Sequence, residues 1–219
     1  MPNWTRRRWL GAAALGSGAA VWAVRPQEAG APHAARFQAL SRALRQAGLT
    51  QPTLVLDRAQ LHANARQVRA NLDAALALRL VNKSLPSLLL LDELSTLLGT
   101  ERQMVFNLPY LQLLAEQRPR SEVLLGKPFP VAAAAHFLAH PPRSGFDPIR
   151  QVQWLVDTPA RLAQYRDLAR ARRQVLRINL EIDVGLHRGG LPDDASLREV
   201  IGLLQGEPWL QWSGLMGYD

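Results

Sequence analysis

From residue 36 onward the chain alternates short β-branched or leucine runs with longer amphipathic segments, the pattern of repeated βα units. Thr53-Leu54-Val55-Leu56 predicts a strand. Asp57 after it predicts the N-cap of a helix carrying Leu61, Ala65, Val68 and Leu72 on one face. Leu78 to Asn82 predicts the next strand and runs straight into Lys83. Ser84 with Pro86 predicts the start of the following helix and Gly99 its end. Further strands are expected at Met104-Val105-Phe106, Val123-Leu124-Leu125, Val152 to Val156, Val175 to Val184 and Leu210 to Met216. Helices are expected at 109–118, 130–140, 159–172 and 196–205, with Thr158-Pro159 as a cap and first-turn pair. Pro141-Pro142-Arg143-Ser144-Gly145 reads as a surface loop. Strands that alternate with helices predict an α/β fold with a parallel sheet, either open or closed into a barrel. No Gly-x-Gly-x-x-Gly follows the first strand and there is no P-loop, so the two commonest open-sheet nucleotide sites are not signalled.

One strand departs from this apolar pattern. Arg177 to Val184 alternates, so Arg177, Asn179, Glu181 and Asp183 share one face and Ile178, Leu180, Ile182 and Val184 the other. A half-exposed antiparallel edge would explain this. In a parallel sheet both faces are covered, and a polar face then requires a polar interior, such as a barrel lumen leading to an active-site mouth. Gly185-Leu186-His187-Arg188-Gly189-Gly190 follows, placing an arginine fork and flexible glycines at the strand's carboxyl end. Lys83 and Lys127 occupy similar places after Leu78 to Asn82 and after Val123-Leu124-Leu125-Gly126, and the pattern alone leaves them as competitors. Desolvation at such a mouth would make a lysine amine a nucleophile toward an aldehyde. His187, His62 and His136 show no metal-ligand spacing and are read as non-ligands.

Composition narrows the function classes. The net charge of +8 falls to +5 once residues 1–31 are set aside with their four arginines and one glutamate. Arg161, Arg166, Arg170, Arg172 and Arg173 are scattered without interleaved aromatics, which speaks against nucleic acid. The absence of cysteine removes disulfides, thiolate metal sites and a cysteine nucleophile. Thr5-Arg6-Arg7-Arg8-Trp9-Leu10, the uncharged stretch Trp9 to Val24 and the small residues Ala29-Gly30-Ala31 resemble a twin-arginine export signal. Those 16 uncharged residues are rich in Gly and Ala, and a spanning helix needs about 20 strongly apolar ones. Export to the periplasm by the export machinery is therefore expected, with anchoring by an uncleaved signal as the alternative.

Three segments together resemble one family. Pro52 to Asp57 with a helix through Leu61 and Asn64, Val81-Asn82-Lys83-Ser84, and Glu181 to Gly190 are similar to the alanine-racemase-like (fold type III) pyridoxal-phosphate (PLP) barrel proteins. The nearest branch is that of the D-threonine aldolases and D-serine dehydratases, which share an ending similar to Gly214-Leu215-Met216-Gly217-Tyr218. The resemblance runs from about residue 50 to the last residue. It implies Lys83 rather than Lys127 as the lysine holding pyridoxal 5'-phosphate in a Schiff base, with Arg188 beside cofactor and substrate. It also implies Tyr218 against the pyridine ring, where a plain core tyrosine is the competing reading. Glu181 stands where some racemases carry a modified lysine, and with Asn179 and Asp183 it is expected to line the site. The implied mechanism is electron withdrawal from an amino acid's α-carbon, leading to racemisation, retro-aldol cleavage or dehydration.

The resemblance further implies a (β/α)8 TIM-type barrel, of which about six strands are counted, and a C-terminal β domain, which is not found. Residues 53–57 would then belong with that domain and not with the barrel. A truncated barrel of doubtful activity is the expectation, with any divalent metal bound by the missing domain and a homodimer in the full-length form. The expected organisation is a leader over 1–31, a linker and helix over 32–49 and the PLP barrel over 50–219. A non-catalytic PLP-binding protein of the cofactor-homeostasis type is one alternative. Another is a barrel hydrolase using Glu181 and Asp183, which as neighbours on one strand face lie about 7 Å apart.

Overall fold

The structure, a computed structural model, describes residues 30–219. The export leader expected over 1–31 lies outside the described residues but for Gly30 and Ala31. The chain divides into two units, Met1–Val55 and Leu56–Asp219. In the first, helix α1 (Ala35–Gln46) carries no buried residue. Thr53 to Leu56 is not a strand. Its backbone pairs with no other, and Leu54 and Leu56 are 91% and 59% exposed, so its β propensity has nothing to complete a ladder with.

The second unit alternates six strands with helices. In chain order they are α2 (Arg58–Asn71), β1 (Leu80–Val81), α3 (Leu88–Leu98), β2 (Arg102–Val105), α4 (Leu108–Gln117), β3 (Glu122–Leu125), α5 (Val131–Ala139) and α6 (Pro148–Gln151). After these come β4 (Val152–Val156), α7 (Pro159–Arg172), β5 (Leu176–Ile182), α8 (Asp194–Gln205) and β6 (Leu210–Gly217). The six strands pair in parallel in the order β1 to β6, and β1 and β6 are the two edges of a sheet that does not close.

Local chemistry explains the boundaries. Asp57 accepts from the Gln60 N–H at 3.0 Å and Thr158 from the Arg161 N–H at 3.1 Å, and Asp193 with Ser196 forms a capping box at α8. Gly99 closes α3 in a left-handed conformation at φ 65°. The start of α3 differs from expectation. Residues Asn82–Ser84 form a single 3-10 turn and Ser87, not Ser84, caps the helix, because Pro86 keeps the residue before it extended. The short helix α6 was not foreseen, although Asp147 accepts from the Ile149 N–H and Pro148 supplies its first turn.

The outer face of the sheet packs on α4, α5, α7 and α8 in one core. Trp154 on β4 is its centre, fully buried among Phe129, Phe137 and Tyr165 with ring centroids 5.8–6.4 Å away. A second, smaller core joins Ala65 of α2 to Leu80 and to Leu91, Leu94 and Leu98 of α3. Replacing Trp154 with alanine would leave a large void that rigid neighbours cannot fill. Trp154→Ala is expected to lower unfolding stability by about 3–5 kcal/mol in urea titrations, the cost typical of a buried tryptophan.

Candidate active site

The polar face of β5 points into the concave side of the sheet. Asn179 and Glu181 are 4% and 3% exposed, and β5 lies between β4 and β6, so the face is buried and not a solvated edge. Asn179 donates to Gln153 Oε1 at 3.1 Å, and Gln153 donates to Glu122 Oε1 at 2.9 Å. Arg79 donates to the backbone oxygens of Gln103 and Glu122 and to Glu122 Oε1 at 3.2 Å. A polar chain thus crosses the interior from β1 to β5.

The carboxyl ends of the strands lie beyond this chain. Val81, Met104 and Leu124 are in register, and two residues further on come Lys83, Phe106 and Gly126. The 3-10 turn after β1 turns Lys83 into a cavity of about 370 Å³, also lined by Phe106, Lys127, Glu181, Arg188 and Tyr218. Lys83 Nζ lies 4.7 Å from the centroid of the Phe106 ring and 5.8 Å from that of Tyr218. Arg188 Cζ lies 5.0 Å from the same Tyr218 centroid. Each contact is a cation–π pair worth about 0.5–1 kcal/mol at an exposed position, and together they order two cations about one ring. Lys83 remains exposed, and the desolvation expected at a strand-end mouth is not seen; two aromatic rings define its surroundings.

Two close approaches shape the cavity. A Cβ on Gly126 would overlap the Phe106 ring, so only glycine lets that ring lie against the backbone at the end of β3. Residues 183–190 fold back on β5 through the Asp183 N–H to Leu191 O at 2.9 Å and the Leu191 N–H to Glu181 O at 2.8 Å. A Cβ on Gly190, at φ 112°, would meet the β5 backbone within 3.0 Å. This return holds Arg188 over the sheet.

Lys83, Arg188, Tyr218 and Glu181 thus line one cavity. Asn179 does not line it, because its amide is drawn into the polar chain below. Asp183 does not line it either, and its Oδ1 lies 3.3 Å from His187 Nδ1. Lys127, the competitor, lines the same cavity as Lys83. Sequence reasoning missed Phe106 and Gly126 as site residues. The signal available was their place at strand ends, matching that of Lys83. Burial pushes the Glu181 carboxyl above the usual carboxylate range. Lys127 opposes the shift, and Asp157 and Asp183 reinforce it. Among the described residues no cluster of three or more His, Asp or Glu could hold a metal ion, and no helix is long and apolar enough to cross a membrane.

Residues 56–219 match the family described as alanine racemase, N-terminal domain. The chain belongs to that family. No curated protein matches it. The D-threo-3-hydroxyaspartate dehydratase of Delftia sp. HT23 is 22% identical over 77% of this chain and 43% of its own length, with a TM-score of 0.66. Alanine racemase of Clostridium difficile 630 in complex with cycloserine is 15% identical over 78% of this chain and 45% of that one, with a TM-score of 0.60. A histidine racemase from Leuconostoc mesenteroides subsp. sake NBRC 102480 is 15% identical over 73% of this chain and 41% of its own, with a TM-score of 0.59. Such identities establish a shared fold, and this chain spans less than half the length of each solved protein. Six parallel strands in chain order are thus an incomplete TIM-type barrel of the alanine racemase N-terminal kind.

The raised Glu181 carboxyl has a stability consequence. The folded protein holds its proton more tightly than the unfolded chain does, so stability falls as pH rises from the unfolded value near 4.5 through the raised one. Glu181→Gln is expected to flatten that fall. In denaturant titrations the variant should gain on the wild type at about pH 8 and lose the advantage below about pH 4.5.

Proposed function

We propose that the cavity holds pyridoxal 5'-phosphate, anchored by Lys83, and that the chain carries the cofactor-binding half of an enzyme acting on amino acids as an aldolase, dehydratase or racemase. The observation that carries this reading is the Lys83 amine held between the Phe106 and Tyr218 rings with Arg188 against the same tyrosine. A flat aromatic aldehyde fits such a place. The Gly126 backbone and the Phe106 ring leave a smooth wall, the Tyr218 ring offers a face to stack on, and the exposed Lys83 amine is open to attack on a carbonyl carbon.

When bound, the cofactor draws electrons from the amino acid's α-carbon and weakens the bonds there. The chain's own groups do the rest. Lys83 Nζ would hold the cofactor through its aldehyde carbon and, as a free amine, could take up a proton in the cavity. Phe106 and Tyr218 exclude water from the amine's flanks. Arg188 presents a fixed fork of donors to a ring or carboxylate oxygen. Glu181, buried and inclined to the neutral form, can hold a proton at the cavity wall. We also propose, from the resemblance, a homodimeric protein exported through residues 1–31.

Two measurements test this reading. Purified protein incubated with the cofactor should turn yellow, and borohydride should fix the cofactor to the peptide containing Lys83, with Lys83→Ala abolishing the label. Labelling at Lys127, or none, refutes the assignment. A colour without turnover of D-threonine, D-serine or alanine would favour a non-catalytic binding protein. For export, replacing Arg6 and Arg7 together by lysine should leave the protein in the cytoplasmic fraction, and unchanged periplasmic recovery would refute a twin-arginine route.

A further inference from the structure

Anchoring a cofactor through Lys83 leaves one charged residue of the cavity, Lys127, without a part. Lys127 follows Gly126 at the end of β3 and lines the cavity. Among the described residues it has no hydrogen-bond or ion-pair partner. Glu181, 3% exposed, lines the same wall, and its carboxyl likewise has no direct partner. Burial raises the Glu181 carboxyl and Lys127 opposes that shift, so the two act on each other without a direct contact. Lys83, Lys127 and Arg188 are three cations at one opening against the single acid Glu181. That cationic excess is complementary to an oxyanion.

Spacing narrows the source of that oxyanion. β1 and β3 are separated by β2 alone, so the backbones bearing Lys83 and Lys127 stand about 10 Å apart. The two long side chains can therefore converge on groups a few bonds apart in one small molecule. An amino acid whose nitrogen is brought to Lys83 would carry its side-chain terminus toward Lys127.

We propose that Lys127 binds a second carboxylate on the substrate's side chain, so that the cavity prefers dicarboxylic amino acids. This rests on the reading of Lys83 as cofactor anchor. The other source of an oxyanion is the cofactor's own phosphate, and the test separates the two.

Wild type, Lys127→Met and Lys127→Arg are loaded with cofactor, and its retention is measured by borohydride fixation. Apparent affinities for D-aspartate and D-alanine are then read from the change in cofactor absorbance. Lys127→Met is expected to retain cofactor, to lose about tenfold in D-aspartate affinity, equivalent to about 1.4 kcal/mol, and to change less than about twofold for D-alanine, with Lys127→Arg restoring most of the loss. Equal loss for both amino acids, or none for either, overturns the proposal. So does loss of cofactor from Lys127→Met, which would assign the lysine to the phosphate. If the wild type takes no label at Lys83, the underlying reading has failed on its own. Calorimetry with succinate on the unloaded protein then still reads Lys127. Binding by wild type that Lys127→Met abolishes supports the anion site, and indifference to the substitution overturns it.

Discussion

A parallel strand covered on both sides can carry polar side chains only if something polar waits for them inside. β5 meets that condition through the chain of hydrogen bonds from Asn179 to Gln153, Glu122 and Arg79. Each buried group on that path would cost on the order of 1–3 kcal/mol if left unpaired. The chain therefore ties β1, β3, β4 and β5 together by partners that no apolar contact could specify. It also divides the interior. Along it the side chains are hydrogen-bonded in series, and above it Glu181 and Lys127 have no hydrogen-bond or ion-pair partner among the described residues. The site begins where this internal pairing ends.

The same logic of close fit governs the cavity's rim. Gly126 gives way to the Phe106 ring, Gly190 gives way to the β5 backbone, and the returning loop that ends at Leu191 is bonded on both sides of Ile182, to the Glu181 oxygen and the Asp183 N–H. Backbone approach at two glycines thus determines where an aromatic ring and an arginine stand. Lys83 follows β1 and Arg188 follows β5, four strands away in the sheet order, and both lie against the Tyr218 ring.

Much of this was legible in the sequence. Hydrophobic periodicity located all six sheet strands, and β4, apolar except for Gln153, was placed at its observed bounds. The alternation of β5 identified the inward face, and the residues after it identified the arginine. Position within that face was not legible. Asn179, Glu181 and Asp183 share a side of the strand, yet one is absorbed by the polar chain, one lines the cavity and one turns to His187, because these outcomes depend on what neighbouring strands present at each height. Phe106 was hidden for the same reason, since a phenylalanine ending a strand reads as core until its partner proves to be glycine. Thr53 to Leu56 misled in the other direction, since strand propensity cannot supply a neighbour.

Tyr218 stands one residue beyond the last paired position of β6, and β6 is an edge of the sheet. The ring that organises both cations is therefore held by a strand bonded on one flank only. Its steadiness, and with it the width of the cleft between Lys83 and Arg188, is set by how firmly that flank is held, so the cleft is tunable from the sheet's edge without altering any residue that lines it.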